Sequence, residues 1–260
     1  MEHFAIARDG APRPVVQGFV IHLPGAQKRK AQVASIVSDC PVPVEVIDAV
    51  DGRAMEQPAV DAVTGQRLFT PTYPFALTRG EVGCFLSHRK VWQEIVDRAL
   101  PSALVLEDDA AVQTDLLERT LALIADHLAD GDYVRLPAKV RDRERMVVAV
   151  AGKTKLFVNS RVGLTTLAQV VTLGAARRLL EATGRFDRPV DTFLQMPWLT
   201  RVRMLTASGS GISEVSARLG GSIIQKPSAG RLPVRREVLR FNYRRKIGAL
   251  QDSHDGIQDG

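Results

Sequence analysis

Ala103-Leu104-Val105-Leu106 is a run of four apolar residues that leads without a break into Glu107-Asp108-Asp109. A short, wholly apolar run marks a strand covered on both faces, as in a parallel sheet with helices on either side. The carboxylates would then stand at the carboxyl end of that strand, the edge of an open α/β sheet where ligands bind. Earlier segments predict the same architecture. Val15 to Leu23 reads as a buried strand closed by Pro24-Gly25, and Ala26 to Asp39 as a helix with Ala31, Val33, Ile36 and Val37 as its apolar positions. Pro43 to Ile47 is a second strand, leaving through Asp48-Ala49-Val50-Asp51-Gly52. Strand, helix, strand is a βαβ unit and predicts parallel pairing.

Thr78 to Leu100 carries Val82, Phe85, Leu86, Trp92, Ile95, Val96 and Ala99 at helical spacing, with Pro101 as its stop. Thr114 is expected to cap a further helix, with Glu118 near capping-box spacing. Strands are expected at 132–136, 146–150, 155–158 and 168–173, and a short helix from Gly174 to Ala182. Residues 53–76, with Pro58, Gly65, Pro71 and Pro74, read as a long loop of the kind that carries function. The expected organisation is a mobile arm over 1–14, one α/β domain over 15–225, a basic helix over 226–247 and a polar tail over 248–260. A chain of 260 residues, 45% hydrophobic and 25% charged, can bury such a core. Two cysteines are too few for a disulfide scaffold or zinc ribbon. With no 18-residue apolar run and no signal-peptide pattern at Met1-Glu2-His3, the expected compartment is the reducing cytoplasm.

Three crowded carboxylates at a buried strand end repel one another and lose hydration. A hard divalent cation, Mn²⁺ or Mg²⁺, relieves both, and such an ion can bridge a diphosphate. The alternative is a solvated acidic turn. At the start of the long helix, Gly80-Glu81-Val82-Gly83-Cys84-Phe85-Leu86-Ser87-His88 combines glycines that let phosphate approach a helix N-terminus with polar groups one turn further in. The alternative for His88 is a hydrogen-bonded structural histidine. Cys84 is expected to be inert core.

Together, Leu77-Thr78-Arg79-Gly80-Glu81-Val82-Gly83-Cys84-Phe85-Leu86-Ser87-His88-Arg89-Lys90-Val91-Trp92 and Ala103 to Ala110 resemble glycosyltransferase family 25. That family holds bacterial lipooligosaccharide galactosyltransferases and, as relatives, collagen galactosyltransferases. Ile47 to Gly52, Val170 to Leu180 and Pro189-Val190-Asp191 are similar to further stretches of the family, so the resemblance runs over about residues 16–225. The family usually opens with Asn-Leu-x-Arg and a basic pair. Here the strand ends His22-Leu23-Pro24, followed by Lys28-Arg29-Lys30, and Gln169 stands where an aromatic is common.

The resemblance implies a single-domain, GT-A-like α/β fold with a mostly parallel, Rossmann-type sheet. It further implies an inverting, metal-dependent transfer of a hexose, galactose first, from a UDP-sugar to a lipid-linked glycan such as a lipopolysaccharide core. Glu107 and Asp109 would hold the metal. His22, Leu23, Asp48, Gly83, Ser87, His88 and Asp108 would bind the donor. Inversion needs a general base. Asp191, outside the carboxylate triplet and after a rigid proline, is the candidate, with a helix-capping aspartate as its alternative and Glu81 next in line. A non-catalytic carbohydrate- or nucleotide-binding relative is the first alternative function.

The net charge of +6 is concentrated. Lys226, Arg231, Arg235, Arg236, Arg240, Arg244, Arg245 and Lys246 against Glu237 give that segment +7 and leave the rest of the chain at −1. Val234, Val238 and Phe241 are expected to line one face and Arg236, Arg240 and Arg244 the other, a basic amphipathic helix suited to an anionic membrane surface at the cytoplasmic face. Docking on the core is the alternative. A chain cut before Leu232 is expected to stay folded. Nucleic-acid binding, the second alternative function, is disfavoured by the near-neutral body and 5% aromatic content.

Overall fold

The computed structural model describes residues 14–220 and 234–258. Residues 1–13 of the expected arm over 1–14, residues 221–233, which include the start of the expected basic helix, and the last two residues of the tail lie outside them. In chain order the elements are β1 (Gly18–His22), α1 (Lys30–Asp39), β2 (Val44–Asp48), α2 (Gln57–Val63), α3 (Arg79–Asp97), β3 (Ser102–Glu107), β4 (Ala110–Val112) and α4 (Thr114–His127). They continue with β5 (Asp132–Arg135), β6 (Arg143–Ala151), β7 (Thr154–Arg161), β8 (Ala168–Thr172), α5 (Leu173–Ala182), α6 (Val190–Phe193), α7 (Pro197–Thr200), β9 (Arg203–Ser208), β10 (Ile212–Glu214) and α8 (Val234–Gln258). A single 3₁₀ turn, Gln27–Arg29, leads into α1.

Eight strands form one sheet in the order β2-β1-β3-β8-β5-β9-β7-β6. The pairings make β1, β2, β3, β5, β6 and β9 run one way, with β7 and β8 reversed. The sheet is mostly parallel in strand direction, and the first βαβ unit stands as expected. Successive side chains on a strand face opposite sides. Phe19, Ile21, Ala103 and Val105 therefore pack on one side with Val82, Phe85, Val91, Trp92 and Ile95 of α3. Val20, Leu104 and Leu106 pack on the other with Val33 and Ile36 of α1 and Leu117, Leu121 and Ile124 of α4. All of β3 except Glu107 is buried, as its unbroken apolar run requires.

Local expectations needed three corrections. The capping box belongs to α3: Thr78 accepts from the Glu81 N–H, and the Glu81 carboxylate accepts from the Thr78 N–H at 2.7 Å. Thr114 is instead the first residue of α4, and its hydroxyl donates to the Asp39 carbonyl at 2.7 Å. The loop over 53–76 contains α2, begun by Pro58 in its first turn, where a missing N–H costs nothing. Third, α8 extends to Gln258, so 248–258 is helix where a polar tail was expected.

Helix α8 docks on the core, as the alternative reading had it, and does so by a face outside the expected Val234-Val238-Phe241 stripe. Tyr243, Ile247 and Gln251 are buried, while Val238 and Phe241 face outward, Phe241 at 66% exposure. Arg236 and Arg240 are on the inner side, with their guanidinium groups 5.0 and 5.8 Å from the Phe75 ring centre. The valine–phenylalanine stripe loses to a heavier one, because an aromatic with a hydrogen-bonding hydroxyl fills the core better than valine does. No helix among the described residues is long and apolar enough to cross a membrane.

Candidate active site

Parallel pairing sets His22 opposite Asp48 and Ile21 opposite Glu107, so three strand ends finish together. They open into a cleft lined by Leu23, Arg29, Ala49 to Arg53, Ser87, His88 and all three carboxylates. Those carboxylates take three different environments. Glu107 is half-buried; its Oε1 lies 3.4 Å from His88 Nε2 and accepts from the Thr166 hydroxyl. Burial alone would raise its pKa, but His88, Thr166 and Arg29 outweigh that and hold it below the usual range. Asp108 is buried and paired, with Oδ2 2.8 Å from His22 Nδ1 and Oδ1 accepting from Arg29. Asp109 is left over. Its Oδ2 lies 3.4 Å from Arg29, and its buried Oδ1 has no partner. Burial, then Glu107, pushes its carboxyl up to about 6, against Arg29 and with further help from Asp108 and Glu214.

Glu214 arrives there because β10 pairs with β4, Glu214 opposite Ala110, and the Val215 N–H binds the Asp109 carbonyl at 2.9 Å. A buried carboxylate oxygen without a hydrogen bond, among further carboxylates, is costly in a solvated acidic turn and suits a hard cation. The donor set at Asp109 and Glu107 fits Mn²⁺ or Mg²⁺ on that ground.

The remaining expected residues divide. Leu23, Ser87, His88 and Asp108 line the cleft. The Ser87 hydroxyl is already committed, accepting from the Val50 N–H at 2.8 Å and donating to the Gly83 carbonyl at 2.7 Å. His22 lies behind Asp108 and fixes it rather than facing the cleft. Asp48 lies with His22 on a separate groove beside α1, and the cleft wall comes from the residues after it. Gly83 serves packing: a Cβ there would lie 2.5 Å from the Val50 carbonyl oxygen, so its bareness lets α3 touch the loop after β2. That contact, and not a phosphate, occupies the space the glycine leaves.

Glu81 and Asp191 meet in a second cleft with Tyr73, Thr165 and Thr166. Glu107 and Cys84 line both clefts and form the wall between them. Glu81 is engaged in the α3 cap. Asp191, in the short α6, accepts from the Thr192 N–H at 2.6 Å through Oδ1. Burial first, and Glu107 and Glu81 after it, raise its pKa, which suits a group that must take up a proton.

Sequence reasoning did not single out Arg29, Tyr73 or Arg188. Arg29 is 5% exposed, the one member of Lys28-Arg29-Lys30 turned inward. Arg188 is fully buried and donates to Tyr243 Oη at 2.8 Å, to Asp187, and to the carbonyls of Phe69 and Pro71. It thereby ties the loop after α2 and helix α8 to the segment that carries Asp191. Its only sequence signal was adjacency to Pro189-Val190-Asp191.

Residues 16–194 match the family model described as glycosyltransferase family 25 (LPS biosynthesis protein). Over 186 residues the chain is 36% identical to the mouse protein named inactive glycosyltransferase 25 family member 3, covering 68% of this chain and 31% of that one. It is 31% identical to human procollagen galactosyltransferase 2 over 187 residues, covering 68% and 29%. The matched region thus spans about a third of the length of these curated relatives. In shape it is loosely similar to the solved structure of a mannose-1-phosphate geranyltransferase from Thermus thermophilus, with a TM-score of 0.42, 12% identity, and coverage of 82% and 80%. The family model covers most of the chain and its central block coincides with the cleft just described: the chain belongs to glycosyltransferase family 25.

Proposed function

We propose that the protein transfers a hexose, galactose first, from a UDP-sugar to a lipid-linked glycan with inversion at the sugar carbon. The observation that carries this reading is the pair of adjoining clefts with Glu107 between them: one holds carboxylates and Arg29, the other a carboxylate of raised pKa. The donor diphosphate would lie in the first cleft against Arg29, with Glu107 and Asp109 holding Mn²⁺ or Mg²⁺. A divalent cation there neutralises charge that builds on the leaving diphosphate. Asp108, locked by His22 and Arg29, keeps that arginine aimed into the site.

The acceptor would enter the second cleft. Its hydroxyl oxygen bonds to the sugar carbon as the bond from that carbon to the diphosphate oxygen breaks. Asp191 takes the hydroxyl proton, and UDP leaves with the bonding pair. Thr192 holds Asp191 Oδ1, which leaves Oδ2 for the proton. The outward Val238 and Phe241 of α8, with exposed Arg235, Arg244 and Arg245 around them, support a reversible seat on an anionic membrane at the cytoplasmic face, where a lipid-borne acceptor would be found. The two free cysteines agree with a reducing compartment.

A second reading, donor binding without turnover, draws support from the relative named inactive. Hydrolysis of UDP-hexoses with and without Mn²⁺ separates them. Metal-dependent release of UDP, lost in Asp109→Asn, supports the transferase. Binding without any release supports the second reading.

A further inference from the structure

Cys84 Sγ, one His88 ring nitrogen and one Glu107 carboxylate oxygen all lie within 4.8 Å of one another. Cys84 and His88 are four residues apart on α3, which stacks them on one helix face, and Glu107 meets them from the end of β3. A thiol, an imidazole and a carboxylate are the donors of a borderline-soft cation, not of Mg²⁺. This wall faces both clefts, so a fourth coordination position would open to solvent or substrate.

One further observation points to a ligand. Gln169 is buried, with Nε2 3.5 Å from His88 Nδ1, while its own Oε1 has no partner. In that arrangement the His88 proton is on Nε2, aimed at Glu107. A half-turn of the Gln169 amide sets Oε1 against Nδ1. His88 then carries its proton on Nδ1, the orphaned oxygen gains a hydrogen bond, and Nε2 offers a lone pair toward Cys84 and Glu107. A metal-bound histidine is normally held by such a partner on its other nitrogen. Burial first, then the carboxylates of Glu107, Asp191, Glu81 and Asp109, push the Cys84 thiol well up, so a cation must displace its proton; the same carboxylates set a field that draws a cation inward.

We infer that Cys84, His88 and Glu107 form a second cation site selective for Zn²⁺, oriented by Gln169. Binding replaces the Cys84 S–H bond with a sulfur–metal bond and releases one proton to solvent, while His88 only changes tautomer. Because Glu107 is shared, an ion here would compete with the one proposed at Glu107 and Asp109. That consequence rests on the proposed function; the binding does not.

The test uses the full chain with Co²⁺ as the spectroscopic stand-in for Zn²⁺. One equivalent should produce a thiolate-to-Co²⁺ charge-transfer band that Zn²⁺ erases. Cys84→Ser should abolish the band and Cys40→Ser should keep it. Gln169→Leu should weaken Co²⁺ binding by roughly 10- to 100-fold, the usual effect of losing an outer partner of a ligand. A band that survives Cys84→Ser, or no band in the unaltered protein, overturns the site. If Cys84→Ser fails to fold, alkylation decides: Zn²⁺ should slow modification of Cys84 and leave Cys40 unchanged, and equal rates with and without Zn²⁺ refute the proposal. Asp109→Asn should retain the band, and an unaltered protein that shows the band but hydrolyses no UDP-hexose would count against the transferase reading alone.

Discussion

The two clefts share Glu107 and Cys84 but are built in opposite ways. The first is made from strand ends brought together by parallel register, and its chemistry is concentrated in Glu107-Asp108-Asp109 and the start of α3. The second is assembled from Tyr73, the α3 cap, residues 165–166 and α6, and is braced from behind by Arg188 and α8. The first is rigid by backbone pairing, the second by side chains reaching across the chain. Mutations should expose this difference. Asp109→Asn should abolish metal-dependent UDP-hexose hydrolysis, a loss of at least ~10³-fold, with the fold intact by circular dichroism. Undiminished Mn²⁺ dependence would remove the first cleft from the chemistry. Asp191→Asn should lower kcat by about 10² to 10⁴ with donor affinity kept. Loss of donor binding instead would merge the two clefts into one site.

The second cleft's bracing predicts a stability effect with no counterpart in the first. Arg188 is buried against Asp187, 2.7 Å away, and against Tyr243 of α8. Arg188→Met leaves Asp187 buried with its ion-pair partner gone, an effect of about 3–5 kcal/mol measurable by urea unfolding. Tyr243→Phe should cost less, about 1.5–3 kcal/mol, since the Arg188 guanidinium loses one hydrogen-bond acceptor but keeps its ion pair with Asp187. The same contacts revise the expectation for a chain cut before Leu232. Without α8, Arg188 and Tyr73 lose their cover, so the truncated protein should be destabilised by as much as Arg188→Met. A truncation that melts like the full chain would show that α8 rests on the core without supporting it.

What could be read from the sequence follows the same division. The βαβ unit, β3 and α3 were legible because each buries an unbroken or periodic apolar set, and Glu107 to Asp109 stood out as charge where burial was expected. The jobs within the triplet were not legible. Asp108 and Asp109 differ in how closely Arg29 and His22 reach them, and those lie some 80 positions away in sequence. Gly83 looked like a phosphate contact because a glycine that admits a ligand and one that admits a neighbouring backbone look alike without coordinates. The docked face of α8 was not legible for a related reason: Val234, Val238 and Phe241 marked an apolar face with arginines opposite, and only Arg188 and Tyr73, distant in sequence, show that the side carrying Tyr243 turns inward.

Asp109 also predicts a pH effect confined to the first cleft. Its carboxyl is raised from the ordinary 3.8 to about 6, so the fold disfavours its charged form. That cost is absent below about pH 3.8, grows as pH rises toward 6 and is full above it, reaching roughly 2–3 kcal/mol. Without metal, Asp109→Asn should therefore melt higher than the unaltered protein at pH 7, and the gap should close as pH falls through 6 toward 4. Adding Mn²⁺ at pH 7 should reverse the order, because only the carboxylate gains from the cation. A gap independent of pH would mean the variant is stabilised by something other than relief of charge.

The smallest effect concerns the outer face of α8, which the bracing role leaves free. Val238 is 48% and Phe241 66% exposed, while Arg244 and Arg245 on the same turns are exposed and Tyr243 and Ile247 between them are buried. The helix can thus brace the second cleft with one side and meet a surface with the other. Each basic residue near an anionic bilayer is worth about 1 kcal/mol, so Arg245→Gln should weaken cosedimentation with phosphatidylserine vesicles by roughly fivefold. Phe241→Ser should act similarly by removing the apolar contact, and salt should weaken binding of the unaltered protein through screening. Neither change touches the buried side, so both variants should melt within ~0.5 kcal/mol of the parent. Equal vesicle binding by the parent and both variants would confine α8 to its bracing role; a variant that loses vesicle binding and stability together would show that the two sides of the helix are not independent.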